Sequence, residues 1–165
     1  MAFSSRCALL QELLQVIEPH MTQGGLHLQV IDECAGASLT ANRKALFGAL
    51  VSLLENAMQA SPAGGKIILH CAASNDAVVL TVTDEGRGIE KEIQERLFEP
   101  FFTTRAEGTG LGLAIVRGVT QSLGGTVQVK SVPGAGSEFI LRLPRKTGST
   151  QQFLNRQAGM EVEAP

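Results

Sequence analysis

Apolar residues along this chain recur at two periods, and the period changes several times. Over residues 8–18, Leu9, Leu13, Val16 and Ile17 fall on one helical face with Leu10 and Leu14 beside it, and Pro19 is expected to end that helix. So apolar a short helix is expected to pack against something outside the chain. After Gly24-Gly25, residues 26–31 alternate Leu26, Leu28 and Val30 with polar partners, which predicts a strand, and a second short strand at 38–41 is expected to pair with it. Helical spacing returns behind Asn42, a suitable N-cap: Leu46, Leu50, Leu53 and Ala57 mark a long helix reaching Ala60, before Ser61-Pro62-Ala-Gly-Gly. At about 100° per residue, Ser52, Asn56 and Gln59 form a polar strip beside that stripe, with Glu55 further round. Such a strip is most simply a solvated face, yet an asparagine at the edge of an apolar stripe also suits a half-buried carbonyl aimed at a ligand.

Residues 66–72 and 77–83, rich in Ile, Val and Leu and joined by Ser74-Asn75-Asp76, predict an antiparallel hairpin. A short helix is expected at 90–97. Pro100 blocks its continuation, and the loop that follows places Phe98, Phe101 and Phe102 ahead of an unpatterned polar run at 103–109, the pattern of a hinged cover. Leu111, Ile115, Val119 and Leu123, with Val116 alongside, then predict a helix with one buried face, stopped by Gly124-Gly125. Alternation at 126–132 and 138–143 around Pro133-Gly-Ala-Gly136 predicts a second hairpin. From Arg145 onward Thr, Ser, Gln, Gly and Pro dominate, which predicts a largely disordered tail with a short helix around 152–158. Strands arriving mostly as hairpins imply a mixed, largely antiparallel sheet covered by helices on one face, a two-layer α/β sandwich.

Composition narrows the possible partners. With 165 residues and 44% hydrophobic content, the chain can bury one sizeable core. A formal charge of -2, no basic patch, and the absence of Trp and Tyr argue against nucleic-acid binding. Nothing approaches the roughly 18 consecutive apolar residues of a membrane span, and the first residues lack a signal-peptide core, so a soluble, cytoplasmic domain without membrane contact is expected. Cys7, Cys34 and Cys71 are odd in number and far apart, which disfavours a disulfide framework or a zinc site and suits reduced, part-buried thiols.

The candidate chemistry centres on Gly108-Thr-Gly-Leu-Gly-Leu-Ala-Ile-Val116. Three alternating glycines permit positive φ and close approach, and a helix start offers unpaired amides that suit phosphate, although a Gly-rich loop also simply turns a chain. Two familiar Gly-loop chemistries fail on context. A Rossmann turn follows a strand directly, whereas Gly108 follows a polar loop, and a P-loop needs Lys then Ser or Thr where Leu113-Ala114 stand. Three other stretches stand in fixed order before it: Leu53-Leu-Glu-Asn-Ala57 on a helix, Asp84-Glu-Gly-Arg-Gly-Ile89 at a strand end, and Phe98-Glu-Pro-Phe-Phe-Thr-Thr104.

Together the four stretches resemble the N box, first Gly box, F box and second Gly box of the catalytic ATP-binding domain of sensor histidine kinases. That superfamily also holds the gyrase, Hsp90 and MutL ATPases, and the likeness covers residues 26–144. It implies the Bergerat (GHKL) sandwich, with a mixed, mostly antiparallel sheet under three helices, and it implies ATP and Mg²⁺ as ligands. By the resemblance, Asp84 accepts the amino hydrogen of adenine and repels the carbonyl of guanine, favouring ATP over GTP. Ser137 is similar to the family's threonine that shares a water with that aspartate, and Asn56 to the asparagine whose carbonyl holds Mg²⁺. Gly86, Gly88, Ile89, Phe98, Thr103, Thr104, Thr109 and Leu111 occupy further nucleotide-contacting motif positions, and Gly108, Gly110 and Gly112 are implied to bring amides to the phosphates. Arg105, in the lid, is implied to reach the γ-phosphate, which makes Asn56 and Arg105 the expected catalytic pair.

The Phe-Phe-Thr-Thr-Arg lid and Gln59-Ala60 most resemble the nitrogen-regulation and flagellar branch, whose usual partners are regulators of sigma-54-dependent transcription. Two departures stand out. Ser52 sits where gyrase-like ATPases have a water-activating glutamate and histidine kinases a second asparagine, and Gln59 replaces a lysine of other kinase branches. None of His20, His27 and His70 fits the phosphoacceptor, which in the family lies on a separate dimerisation hairpin and is generally followed by an acidic residue. The expected organisation is therefore a helical stump of that hairpin at 1–22, an ATP-binding domain at 23–145 and a tail at 146–165, in a fragment or split kinase that signals to a response regulator. A non-catalytic nucleotide-sensing module, a stand-alone ATPase and a serine kinase of the anti-sigma-factor type are the competing functions.

Overall fold

Alternation along the strands sends Ile67, Leu69 and Cys71, then Val78, Leu80 and Val82, then Phe139, Leu141 and Leu143 into one shared core. The computed structural model describes residues 8–106 and 108–145, so Cys7 and the expected tail helix at 152–158 lie outside the described residues. Within them the order is α1 (Ala8–Gln23), β1 (His27–Glu33), α2 (Arg43–Ala60), β2 (Lys66–Ala73), β3 (Ala77–Asp84), α3 (Lys91–Gln94), α4 (Gly112–Ser122), β4 (Thr126–Val132) and β5 (Gly136–Pro144). The five strands lie in the order β1-β2-β3-β5-β4. β1 and β2 run parallel because the α2 crossover joins them, and every other pair is antiparallel. The mixed, mostly antiparallel sandwich expected of the sequence is the fold observed.

α2 is the pivot of the helical layer, packed by α1 on one side and α4 on the other. Asn42 caps it, its side chain accepting from the Ala45 amide at 3.1 Å, and Ser61 closes its far end through the Ala57 carbonyl. Cys34 and Cys71 are buried within the core. No helix among the described residues is long and apolar enough to cross a membrane.

Five expectations need correcting. α1 does not stop before Pro19 but continues through it to Gln23, because Met21 is buried and anchors the last turn while His20 Nδ1 donates to the Val16 carbonyl at 2.9 Å. Its apolar face is not left for an absent partner: Leu9, Leu13 and Ile17 belong to the same core as α2 and the sheet. No strand forms at 38–41, where only Ser38 bridges. Asp32 Oδ1 accepts from the Cys34 amide at 3.0 Å, and Ala35 and Gly36 then take φ of 41° and 78°, turning the chain away from β1. Finally, α4 buries Val116 and Thr120 and leaves Ile115 half exposed, a face rotated from the one expected. Thr120 tolerates burial because its hydroxyl donates to the Val116 carbonyl at 2.7 Å.

The helix expected at 90–97 is also shorter, only Lys91–Gln94. Beyond it Arg96 and Glu99 donate to carbonyls three residues back, so the chain reaches Pro100 as a series of turns.

Candidate functional site

The polar strip of α2 faces a cavity of about 760 Å³, which Ser52, Asn56 and Gln59 line together with Glu55. Its opposite wall is the loop between α3 and α4, through Phe102, Thr103, Thr104 and Arg105, and its floor is the start of α4, through Gly108, Thr109, Gly110 and Gly112. Half-buried Asn56 turns its carbonyl inward, where Arg105 donates to Oδ1 at 2.6 Å. Burial first, and then the charge of Arg87, pull the Arg105 pKa below its ordinary value. Among the described residues neither arginine forms an ion pair with a carboxylate, and of the two only Arg105 lines the cavity, with Glu55 also in its wall. α4 adds to that field. Its N-cap Leu111 offers no side-chain bond and its own amide donates to Thr109 Oγ1 at 3.4 Å, while the first internal bond runs from the Ile115 amide to the Leu111 carbonyl, so the amides of cavity-lining Gly112 and Leu113 carry no bond to the preceding backbone.

Of the three glycines of this stretch, only Gly110 has positive φ, at 68°. A Cβ there would run into the backbone of Phe101, itself at φ 64° and bonded through its amide to the Gly110 carbonyl at 2.9 Å. Gly110 thus lets the two ends of this loop meet. Gly112 lies against Ser52, so a small side chain at 52 lets α4 approach α2.

Asp84 ends β3 beyond the same helix. The loop after it returns to α2 through the Arg87 amide, which donates to the Ala60 carbonyl at 3.2 Å, next to Gln59. Only 2% of Asp84 is exposed. Its Oδ1 accepts from the Gly86 amide at 2.8 Å, while its buried Oδ2 has no hydrogen-bond partner. Burial raises the carboxyl above its usual pKa, and the Gly86 and Ser137 amides offset part of that rise. Ser137 sits opposite Asp84 in register.

A serine that sequence reasoning missed joins these groups. Ser131 Oγ donates to the Gly136 carbonyl at 2.8 Å, accepts from the Ile89 amide at 2.9 Å and touches Ser137 Oγ at 2.8 Å. Gln94 ties the same corner, donating to the carbonyls of Ile89 at 2.7 Å and Ser131 at 3.1 Å. The pattern held a clue, because Ser131 continues the inward face of Val127 and Val129 where an apolar residue was due. Glu55 and Arg87 were likewise not picked out.

Not every expected residue reaches the cavity. Leu111, Gly86, Gly88, Ile89, Asp84 and Ser137 stand outside its wall, the last five around the Asp84 corner. Gly88, at φ 69°, has no room for a Cβ beside the Val132 carbonyl, so it packs the loop onto β4. Phe98 is turned edge-on to Phe139, with ring centroids 6.3 Å apart, and serves the core. None of His20, His27 and His70 lines the cavity, and His70 Nε2 contacts Glu33 at 2.7 Å.

A family described as histidine kinase-, DNA gyrase B-, and HSP90-like ATPases matches residues 41–147. The chain is 37% identical over 136 residues to the sensor histidine kinase ZraS of Escherichia coli (strain K12), covering 82% of this chain and 29% of that one. It is 36% identical over 140 residues to the signal transduction histidine-protein kinase AtoS of the same strain, covering 83% and 23%. It therefore spans less than a third of the length of these relatives. Among solved structures it resembles the catalytic domain of the histidine kinase ThkA, with a TM-score of 0.78, 27% identity, and coverage of 88% of this chain and 97% of that one. Full-length ShkA in complex with AMPPNP superposes with a TM-score of 0.72 at 26% identity, covering 87% of this chain and 31% of that one. With the four ordered motifs and the observed sheet, these matches establish that the chain belongs to the histidine kinase-, DNA gyrase B- and HSP90-like ATPases and has the fold of a sensor histidine kinase catalytic domain.

Proposed function

We propose that this chain binds Mg·ATP and passes the γ-phosphoryl group to a histidine on a separate dimerisation hairpin, for relay to a response regulator. The observation that carries the reading is the unpartnered, buried Oδ2 of Asp84, an acceptor that the protein itself leaves unused, at the end of the strand whose following loop returns to α2 next to the cavity-lining Gln59. Asp84 accepts from the exocyclic amine of adenine, while Ser137 holds a water between them. Arg105, Arg87 and the open amides of α4 draw the triphosphate, and AMPPNP bound to the related ShkA supports the same ligand class here.

Asn56 suits Mg²⁺, because its carbonyl already receives a cationic group, the Arg105 guanidinium. Asn56 would hold the ion through its side-chain carbonyl, with phosphate oxygens and water completing its oxygen-rich shell. The metal neutralises charge on the phosphates when bound. In the transfer, a histidine nitrogen bonds to the γ-phosphorus as the bond to the β–γ bridging oxygen breaks, and ADP leaves with the electron pair. Arg105 binds the spreading charge. Catalytic roles fall to Asn56 and Arg105. Residues 23–145 form the nucleotide-binding unit in this reading, α1 leads in from the hairpin, the compartment is the cytoplasm, and the regulator is a sigma-54-dependent activator.

Thermal shift measures the binding half of the proposal. Mg·ATP should raise the unfolding midpoint, Mg·GTP and metal-free buffer should not, and Asp84→Asn should abolish the rise. Added helix pair should then gain acid-labile, alkali-stable label from γ-labelled ATP. Binding without any transfer would instead favour the nucleotide-sensing module, which Ser52 in place of the family's asparagine motivates. Steady phosphate release by the chain alone would favour an ATPase, and label on serine an anti-sigma-type kinase.

A further inference from the structure

We propose that Ser131 sets purine selectivity by fixing which way the Ser137 hydroxyl points its proton, so that Asp84 Oδ2 stays a pure acceptor. The proposal rests on the adenine site described above and adds to it a residue that does not touch the nucleotide. Ser131, Ser137 and Asp84 stand abreast on β4, β5 and β3, Ser131 paired with Ser137 and Ser137 paired with Asp84.

The direction follows from counting protons. A serine hydroxyl has one proton and two lone pairs. Ser131 must donate its proton to the Gly136 carbonyl at 2.8 Å, which can only accept, and must accept from the Ile89 amide at 2.9 Å, which can only donate. One lone pair remains for Ser137 Oγ at 2.8 Å, so in that contact Ser137 is the donor. The Ser137 hydroxyl proton is therefore spent, and that hydroxyl offers only lone pairs toward the site. Asp84 Oδ2 consequently takes no proton from the neighbouring hydroxyl, in agreement with its lack of a partner.

A hydroxyl released from Ser131 would turn to the carboxylate instead. Facing residues of an antiparallel pair hold their Cβ atoms about 4.5–5.5 Å apart, within reach of that turn, and a hydroxyl bond to a carboxylate is about twice as strong as one to a neutral acceptor. The acceptor reserved for the amine would then be filled from inside the protein. With Ser131 in place, a purine bearing an amino group at C6 meets acceptors alone, and one bearing a carbonyl there meets repulsion. Gln94 holds the frame by tying the Ile89 and Ser131 carbonyls together.

The test compares ATP with purine riboside triphosphate, which carries hydrogen in place of the amine, by equilibrium binding to the full chain. Ser131→Ala should weaken ATP about tenfold while purine riboside triphosphate stays within about twofold, collapsing the selectivity ratio. In a Ser137→Ala background, which has no hydroxyl to turn, Ser131→Ala should cost nothing further. Equal losses for both nucleotides, or the same tenfold loss in the Ser137→Ala background, would overturn the positioning role and leave Ser131 a packing residue. Failure of the unsubstituted protein to prefer ATP over purine riboside triphosphate would overturn the adenine site itself, and this proposal with it.

Discussion

Asp84 is held at a cost to the fold, and the cost has a sign. Its carboxyl is raised by burial, so the native state binds that proton more tightly than the unfolded chain does. Below the unfolded pKa both states are protonated and Asp84 takes nothing from stability; as pH rises past that value toward the folded pKa, stability is lost, and above it the full deficit persists. Asp84→Asn should therefore raise the nucleotide-free unfolding midpoint at pH 7, with the gain vanishing at acid pH, in melts followed by circular dichroism. The same substitution should weaken ATP by about 10–100-fold, the worth of one hydrogen bond to a charged group. A stabilising change that destroys binding separates a functional carboxylate from a structural one. Motif spacing singled out Asp84, Asn56 and Arg105, and the structure brings Asn56 and Arg105 into contact. Ser131 was not legible in the sequence, because its importance lies in proton direction across three strands, which no local pattern carries.

Among elements, the lid is closed by a contact between its two ends. Phe101 is 76% exposed at positive φ, a conformation that side chains avoid, and it stays there because its amide bonds the Gly110 carbonyl. Gly110→Ala would add a Cβ at φ 68°, costing about 1–2 kcal/mol, and would also push it into the Phe101 backbone. The lid should then open. Limited proteolysis should cut faster within 101–110, and Mg·ATP affinity should fall, while the unfolding midpoint moves little because the loop buries little of the core. Aromatic anchors followed by an unpatterned polar run made this loop stand out in the sequence, and it forms one wall of the cavity. Its latch was hidden, because it depends on a backbone bond nine residues apart and on two positive φ angles. The rotated face of α4 had a similar cause: Thr120 reads as polar, and only the back-bond to Val116 makes its burial affordable.

At the scale of the whole molecule, one helix carries the site on one strip and the core on the rest. α2 buries Leu46, Leu50, Leu53 and Leu54 while Ser52, Asn56 and Gln59 look into the cavity, so the geometry of the site depends on whatever holds α2 in place. α1 is part of that support. Period and turn signals foretold the hairpins and the sandwich, but not that α1 would join this core, since a proline and an all-apolar face suggested a partner elsewhere. Leu13 is 1% exposed within that core. If α1 is integral, Leu13→Ala should cost about 2–5 kcal/mol, as large-to-small core changes do, lowering the midpoint by on the order of 10 °C in a single transition. Hydrogen exchange should show α1 and α2 amides losing protection together, and ATP affinity well below the midpoint should be unchanged. A helix that merely tethers the domain would behave otherwise: α1 amides would exchange early, and the midpoint of the remaining fold would be indifferent to residue 13.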